Sequence, residues 1–66
     1  MTNLQRIRLD RKMSQSQLAK ESGVKIRCIQ HWEQGDRNIN RAAVESVVSM
    51  AKALRCDITD LMEKQG

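Results

Sequence analysis

Gly23 limits how this chain can fold more than any other residue. It lies in Ser22-Gly23-Val24-Lys25, between two segments with helical patterning, Gln15 to Ser22 and Ile26 to Gln34. A glycine just past a helix end takes the left-handed backbone conformation without steric cost, so a helix arriving at Ser22 stops and the chain turns. Neither segment is long enough to persist as an isolated helix in water. The two must pack against each other and against a shared core. Ala19 stands where they would cross, and its small side chain permits close approach. The rest of the chain has no Pro and no run of alternating apolar and polar residues long enough for a strand, so the partners for this pair are helices too.

Start signals place them. Thr2 with Gln5 and Ser14 with Gln17 have the spacing of capping boxes, in which each side chain bonds the other residue's free backbone N–H. Met13 and Leu18 flank the second cap as a hydrophobic staple, and Cys56 and Leu61 flank Asp57 in the same way. Asn40 is read as the cap of a long fourth helix, with Val44, Val47, Val48, Ala51 and Leu54 as its buried stripe and Glu45, Ser46, Ser49 and Lys52 outside it. The expected fold is all-α with five short helices: Asn3 to Arg11, Gln15 to Ser22, Ile26 to Gln34, Arg41 to Leu54 and Ile58 to Glu63. No linker, repeat or low-complexity tract divides the 66 residues, so a single domain spanning 1–66 is expected.

Composition narrows the function. A domain of this size buries only about 60% of the surface its unfolded chain exposes, and an enclosed active site would compete with the core for the same few apolar residues. There is no Gly-rich phosphate loop, no nucleophile in a strand-turn-helix setting and a single His, so no catalytic site is expected. Cys28, His31 and Cys56 fall short of the four closely paired ligands of a structural zinc site, and no metal or cofactor is expected. With no membrane-length apolar run and no signal-peptide pattern, a reducing cytoplasm is expected, with both cysteines as free thiols. The net charge is +4, and residues 1–41 hold nine of the twelve Lys and Arg but only four of the eight acids. That concentration fits a polyanion partner, and on charge alone it fits an ordinary solvated surface about as well.

The third helix divides by geometry. With Ile26 at zero, Gln30, Gln34, Arg27 and His31 fall at roughly 40, 80, 100 and 140°. Cys28, Trp32, Ile29 and Glu33 fall at roughly 200, 240, 300 and 340°. The second set is a core face with Glu33 at its edge, which makes Trp32 a core residue and not a stacking platform. The first set has four long hydrogen-bonding side chains of the kind that read base edges, and one apolar group, Ile26, placed to touch a thymine methyl. His31 lies on this polar face, for DNA contact or plain solvent. Ile58, Leu61 and Met62 are read as core, with an outer edge open to a dimer contact.

Two short helices joined by a glycine-containing turn are the helix-turn-helix arrangement. The stretch Ser14-Gln15-Ser16-Gln17-Leu18-Ala19, then Gly23-Val24, then Ile29-Gln30-His31-Trp32-Glu33-Gln34-Gly35 resembles the Cro/cI-type, XRE-like family of phage repressors and bacterial regulators. The likeness continues through Asp36-Arg37-Asn38-Ile39-Asn40 and Met50-Ala51-Lys52-Ala53-Leu54 to Asp57-Ile58-Thr59-Asp60-Leu61. The resemblance implies the lambda-repressor-like fold, with the third helix in the major groove of double-stranded DNA. It gives Gln15 a phosphate contact, puts Lys25, Ile26, Arg27 and His31 against bases or nearby phosphates, and brings the loop of Arg37 and Asn38 to the phosphate backbone. It pairs Arg8 with Glu33 as a salt bridge between the first and third helices. It also implies a transcription regulator, expected to be a repressor, that dimerises on DNA. The chain starts almost directly at the first helix, so no long arm into another groove is expected. The same fold serves as the antitoxin of toxin–antitoxin pairs, a protein-binding alternative weakened here by the lack of a tail of the kind that wraps a toxin. Three positions depart from the family pattern. Lys25 replaces a Ser or Thr cap, and Ser22 takes an apolar place. Arg55 stands for the usual Gly after the fourth helix, so either it bears a left-handed cap or the helix ends by another route.

Overall fold

A computed structural model describes residues 1–63. Its elements are α1 (Asn3–Asp10), α2 (Gln15–Ser22), α3 (Ile26–Gln34), a 3₁₀ turn (Ile39–Arg41), α4 (Val44–Leu54) and α5 (Ile58–Leu61), with no strand among the described residues. α2 lies against α3 and α4, α1 against α3 and α5, and α4 against α5. Leu4, Ile7, Leu18, Ile29, Trp32, Ile39, Val47, Met50, Ala51, Leu54 and Leu61 form one buried cluster to which every element contributes.

The start signals act locally. Ser14 Oγ accepts from Gln17 N at 3.0 Å and Gln17 Oε1 accepts from Ser14 N at 3.4 Å, a complete capping box. Thr2 makes only the forward half, accepting from Gln5 N at 3.2 Å. Asp60 Oδ2 accepts from Asp57 N at 3.0 Å where α5 begins.

The fourth helix is shorter than expected, beginning at Val44 instead of Arg41, and Asn40 does not cap it. Ile39 is only 3% exposed, and burying it requires the chain to turn inward before α4 can start. Asn38 Oδ1 accepts from Asn40 N at 2.9 Å and so caps the 3₁₀ turn, while Ala42 and Ala43 are extended and break the helical path. The buried face accordingly starts one turn later, as Val47, Met50, Ala51 and Leu54. Val44, at 72% exposure, lies outside the core, and Val48 is half-buried. α1 and α5 also end early, at Asp10 and Leu61. Met62 is extended because its carbonyl accepts from Asn3 Nδ2 at 2.7 Å, which pulls the chain away from the helical path.

Both glycines at helix ends are left-handed, Gly23 with φ 76° and Gly35 with φ 89°. Arg55 takes the same region, with φ 56° and ψ 49°, so it bears the left-handed cap itself. The end of α4 is held by Cys56 N donating to Ala51 O at 3.0 Å and by Arg11, whose Nε donates to Leu54 O at 2.8 Å. A cation at a helix C-terminus also complements the helix dipole. The Cβ of Arg55 remains crowded against its own backbone, which for an L-residue costs about 1–2 kcal/mol. Arg55→Gly is therefore expected to stabilise the protein by about 0.5–1 kcal/mol, after allowing for the freedom glycine adds to the unfolded chain. The urea midpoint should rise; an unchanged or lower midpoint would show that no strain is stored there.

Candidate nucleic-acid interface

The geometry begins at a buried ion pair. Arg8 on α1 and Glu33 on α3 are each 7% exposed. Arg8 Nε donates to Glu33 Oε2 at 2.6 Å and Arg8 Nη2 to Glu33 Oε1 at 2.9 Å, the two-pronged match of guanidinium to carboxylate. Arg8 Nη1 donates to Met13 O at 2.7 Å, and Gln15 Nε2 donates to Glu33 Oε1 at 3.0 Å. One network thus joins α1, the chain between α1 and α2, the start of α2, and α3. Its hydrogen bond to Glu33 holds the Arg8 guanidinium above its ordinary pKa against the opposing effect of burial.

The turn between α2 and α3 is closed from within. Gly23 N donates to Ala19 O at 2.9 Å. Ser22 Oγ donates to Leu18 O at 2.7 Å and accepts from Val24 N at 3.2 Å, so a hydroxyl in a usually apolar place spends its polarity on the backbone. Lys25 makes no side-chain cap at the start of α3, so its ammonium is left to other partners.

On α3, Ile29, Trp32 and Glu33 are buried and Cys28 is half-buried. Opposite them, Ile26, Arg27 and Gln34 are exposed and Gln30 and His31 are half-buried. Ile26 is 38% exposed, a β-branched apolar side chain on an otherwise polar face. His31 Nδ1 lies 2.9 Å from Asp36 Oδ2, which orients the ring from the adjoining loop. In that loop Gly35 N and Arg37 N both donate to His31 O, at 3.1 and 3.4 Å. Lys25, Arg27 and Arg37 form no salt bridge among the described residues.

Arg37 and Asn38 border a shallow depression of about 590 Å³ with Trp32, Gly35, Asp36, Arg41 and Ala42. Sequence reasoning misses Arg41, because the helical period assigns it to the first turn of a long helix. Its position four residues after Arg37, beyond the same loop, is the available signal. Gln15, expected at phosphate, stands at the start of α2 with one amide hydrogen on Glu33 and a second one available. Cys28 and Cys56 are free, and burial together with nearby Asp60 pushes the Cys56 thiol up, away from the reactive thiolate. The described residues contain no cluster of three or more His, Cys, Asp or Glu side chains able to hold a metal, and no helix long and apolar enough to cross a membrane.

Two short helices joined through the left-handed Gly23, the second with long polar side chains on its outward face, are the helix-turn-helix arrangement. The profile of the family described as helix-turn-helix matches residues 4–61. The chain belongs to this family, the Cro/cI-type or XRE-like DNA-binding transcription regulators, and the five α-helices of the described residues have the lambda-repressor-like fold. No curated protein and no solved structure matches it.

Removing one member of a buried pair leaves the other charge unpaired, at a cost of about 3–5 kcal/mol. Glu33→Ala is expected to lose stability on that scale, whereas Glu45→Ala, exposed on α4, should stay within about 0.5 kcal/mol of wild type. Chemical denaturation of the two variants compares them directly; equal midpoints would contradict a structural role for the pair.

Proposed function

We propose that this chain is a repressor that binds double-stranded DNA as a homodimer in the cytoplasm, with residues 1–66 acting as one domain, no cofactor, and α3 in the major groove. The observation that carries this is the division of α3: Ile29, Trp32 and Glu33 are fixed in the core while Ile26, Arg27, Gln30, His31 and Gln34 face outward together. Arg27 reads guanine, since its planar fork matches the O6 and N7 acceptors, and Ile26 packs on a thymine methyl. Gln30 and Gln34 supply paired donor and acceptor groups for base edges, with His31 beside them. Lys25 and Gln15 meet phosphate near the helix ends, Gln15 through its second amide hydrogen. Arg37 and Asn38 hold the backbone on the other side, with Arg41 adding a further cation.

The nine residues of α3 span about 13 Å, only about four base-pair steps. Two copies on half-sites about 34–36 Å apart multiply that short reading into a usable site. Occupying a promoter is sufficient for repression, and occupancy is what a small DNA-binding domain supplies unaided.

Reading and holding should fail differently, which affinity measured across single-base variants of the best-bound duplex can resolve. Arg27→Ala is expected to cost about 1–3 kcal/mol on the best site and to relax preference at one or two base pairs per half-site. Ile26→Ala should lose discrimination between thymine and cytosine at one step. Arg37→Ala should weaken all variants alike and reduce the slope of log affinity against log salt by about one, from a total near −0.9 for each phosphate neutralised. The same uniform loss for Arg27→Ala and Arg37→Ala would make Arg27 a phosphate contact. A binding constant insensitive to salt would point to a protein partner instead of DNA.

A further inference from the structure

Asn40 belongs neither to the buried cluster nor to the reading face, yet both ends of its amide are engaged 23 residues away in sequence. Asn40 Nδ2 donates to Glu63 O at 2.8 Å, and Glu63 N donates to Asn40 Oδ1 at 2.9 Å. One side chain therefore satisfies both backbone groups of Glu63, as a neighbouring strand would. The other side of this segment is fastened to α1. Asn3 Nδ2 donates to Met62 O at 2.7 Å, and Asn3 N donates to Glu63 Oε2 at 2.6 Å. Met62 and Glu63 form an extended strap from the start of α1 to the 3₁₀ turn.

The 3₁₀ turn lies between the groups proposed to grip phosphate, with Arg37 and Asn38 just before it and Arg41 at its end. Gly35, Asp36, Arg37 and Asn38 are all exposed, so the preceding loop has no core contact of its own. Its first residues are tied back to His31, through Gly35 N, Arg37 N and the Asp36 carboxylate, and its far end is positioned by the next two residues, Ile39 in the core and Asn40 on the strap. The bond from Asn40 N to Asn38 Oδ1 carries the constraint back to Asn38. Glu63, Arg37 and Asn38 border one shared depression with Thr2 and Trp32, which puts the strap directly behind the loop.

We propose that Asn40 is a positioning residue for DNA binding: through Glu63 it fixes the turn that presents Arg37, Asn38 and Arg41 to the phosphate backbone. The proposal rests on the DNA-binding function proposed for the chain. A loop ordered in advance avoids the entropy loss of being ordered on binding, so its contacts contribute more fully to affinity. Asn40 itself touches no nucleotide, so its loss should leave base preference intact.

The test is a double-mutant cycle on the duplex that the wild-type protein selects from a random pool, with binding measured at several salt concentrations. Asn40→Ala is expected to weaken binding about tenfold across all single-base variants and to flatten the salt slope. In an Arg37→Ala background it should cost no more than about threefold, because one of the two cations it positions is already gone. A purely structural role would lower the melting temperature without coupling to Arg37. Losses that multiply independently, or unchanged affinity for Asn40→Ala, overturn the proposal. Should Asn40→Ala not fold, Glu63→Pro removes the N–H bound by Asn40 Oδ1 and suits the extended Met62, with Glu63→Gln controlling for the lost carboxylate. Glu63→Pro is held to the same coupling with Arg37. If the wild-type protein selects no duplex, the DNA reading itself fails, a result distinct from selective wild-type binding that Asn40→Ala leaves unchanged.

Discussion

The Arg8–Glu33 pair is the interaction on which the rest of the interface depends. A 66-residue chain has little apolar surface with which to fix the angle between helices, and a stripe of aliphatic side chains tolerates sliding. A bidentate guanidinium–carboxylate pair does not, because both its distances and its plane are set. Arg8 also takes the Met13 carbonyl, and Glu33 takes the Gln15 amide, so the orientation of α3 is referred to α1 and α2 at once. The desolvation penalty of such a pair can offset its attraction, so its value lies in orientation more than in net stability. No buried side-chain nitrogen or oxygen among the described residues lacks a hydrogen-bond partner, the condition for a polar network in a small core.

That anchor sets the division of labour on α3. Trp32, 9% exposed, and Ile29 fill the core directly beside Glu33, leaving no rotation of the helix that keeps all three satisfied. The outward face is then determined in detail, down to which residues stand at its start. The two glycines at the ends of α2 and α3 set where the polar face begins and where the loop of Arg37 departs. A DNA-reading domain needs this rigidity, since base contacts lose value when their geometry is loose by a fraction of a hydrogen-bond length.

The parts legible in the sequence are those governed by local rules. Ser14 with Gln17, Gly23 and Gly35 each act within a few residues, so the bounds of α2 and α3 follow from spacing alone. The 100° advance per residue sorts α3 correctly because one helix turn separates Trp32 from Cys28 whatever surrounds them. The start of α4 is illegible for the opposite reason. Val44 continues the apolar period, and Asn40 has the chemistry of a cap, but Asn40 is claimed by the backbone of Glu63, a partner at the far end of the chain. A second long-range bond, from Asn3 to the Met62 carbonyl, ends α5 early, and the burial of Ile39 leaves Arg41 on the 3₁₀ turn beside Arg37. The engagement of Gln15 with Glu33 likewise depends on a contact between elements that no spacing within either one encodes.

Sequence-specific reading by α3 as a two-fold pair is tested most directly by selecting duplexes from a random pool at about 0.15 M salt. The expected outcome is a single enriched motif with approximate two-fold symmetry and half-site centres about 10–10.5 base pairs, or a multiple of that spacing, apart. Recovery of sequences with no shared motif, at an affinity equal to that for random duplex, would contradict it.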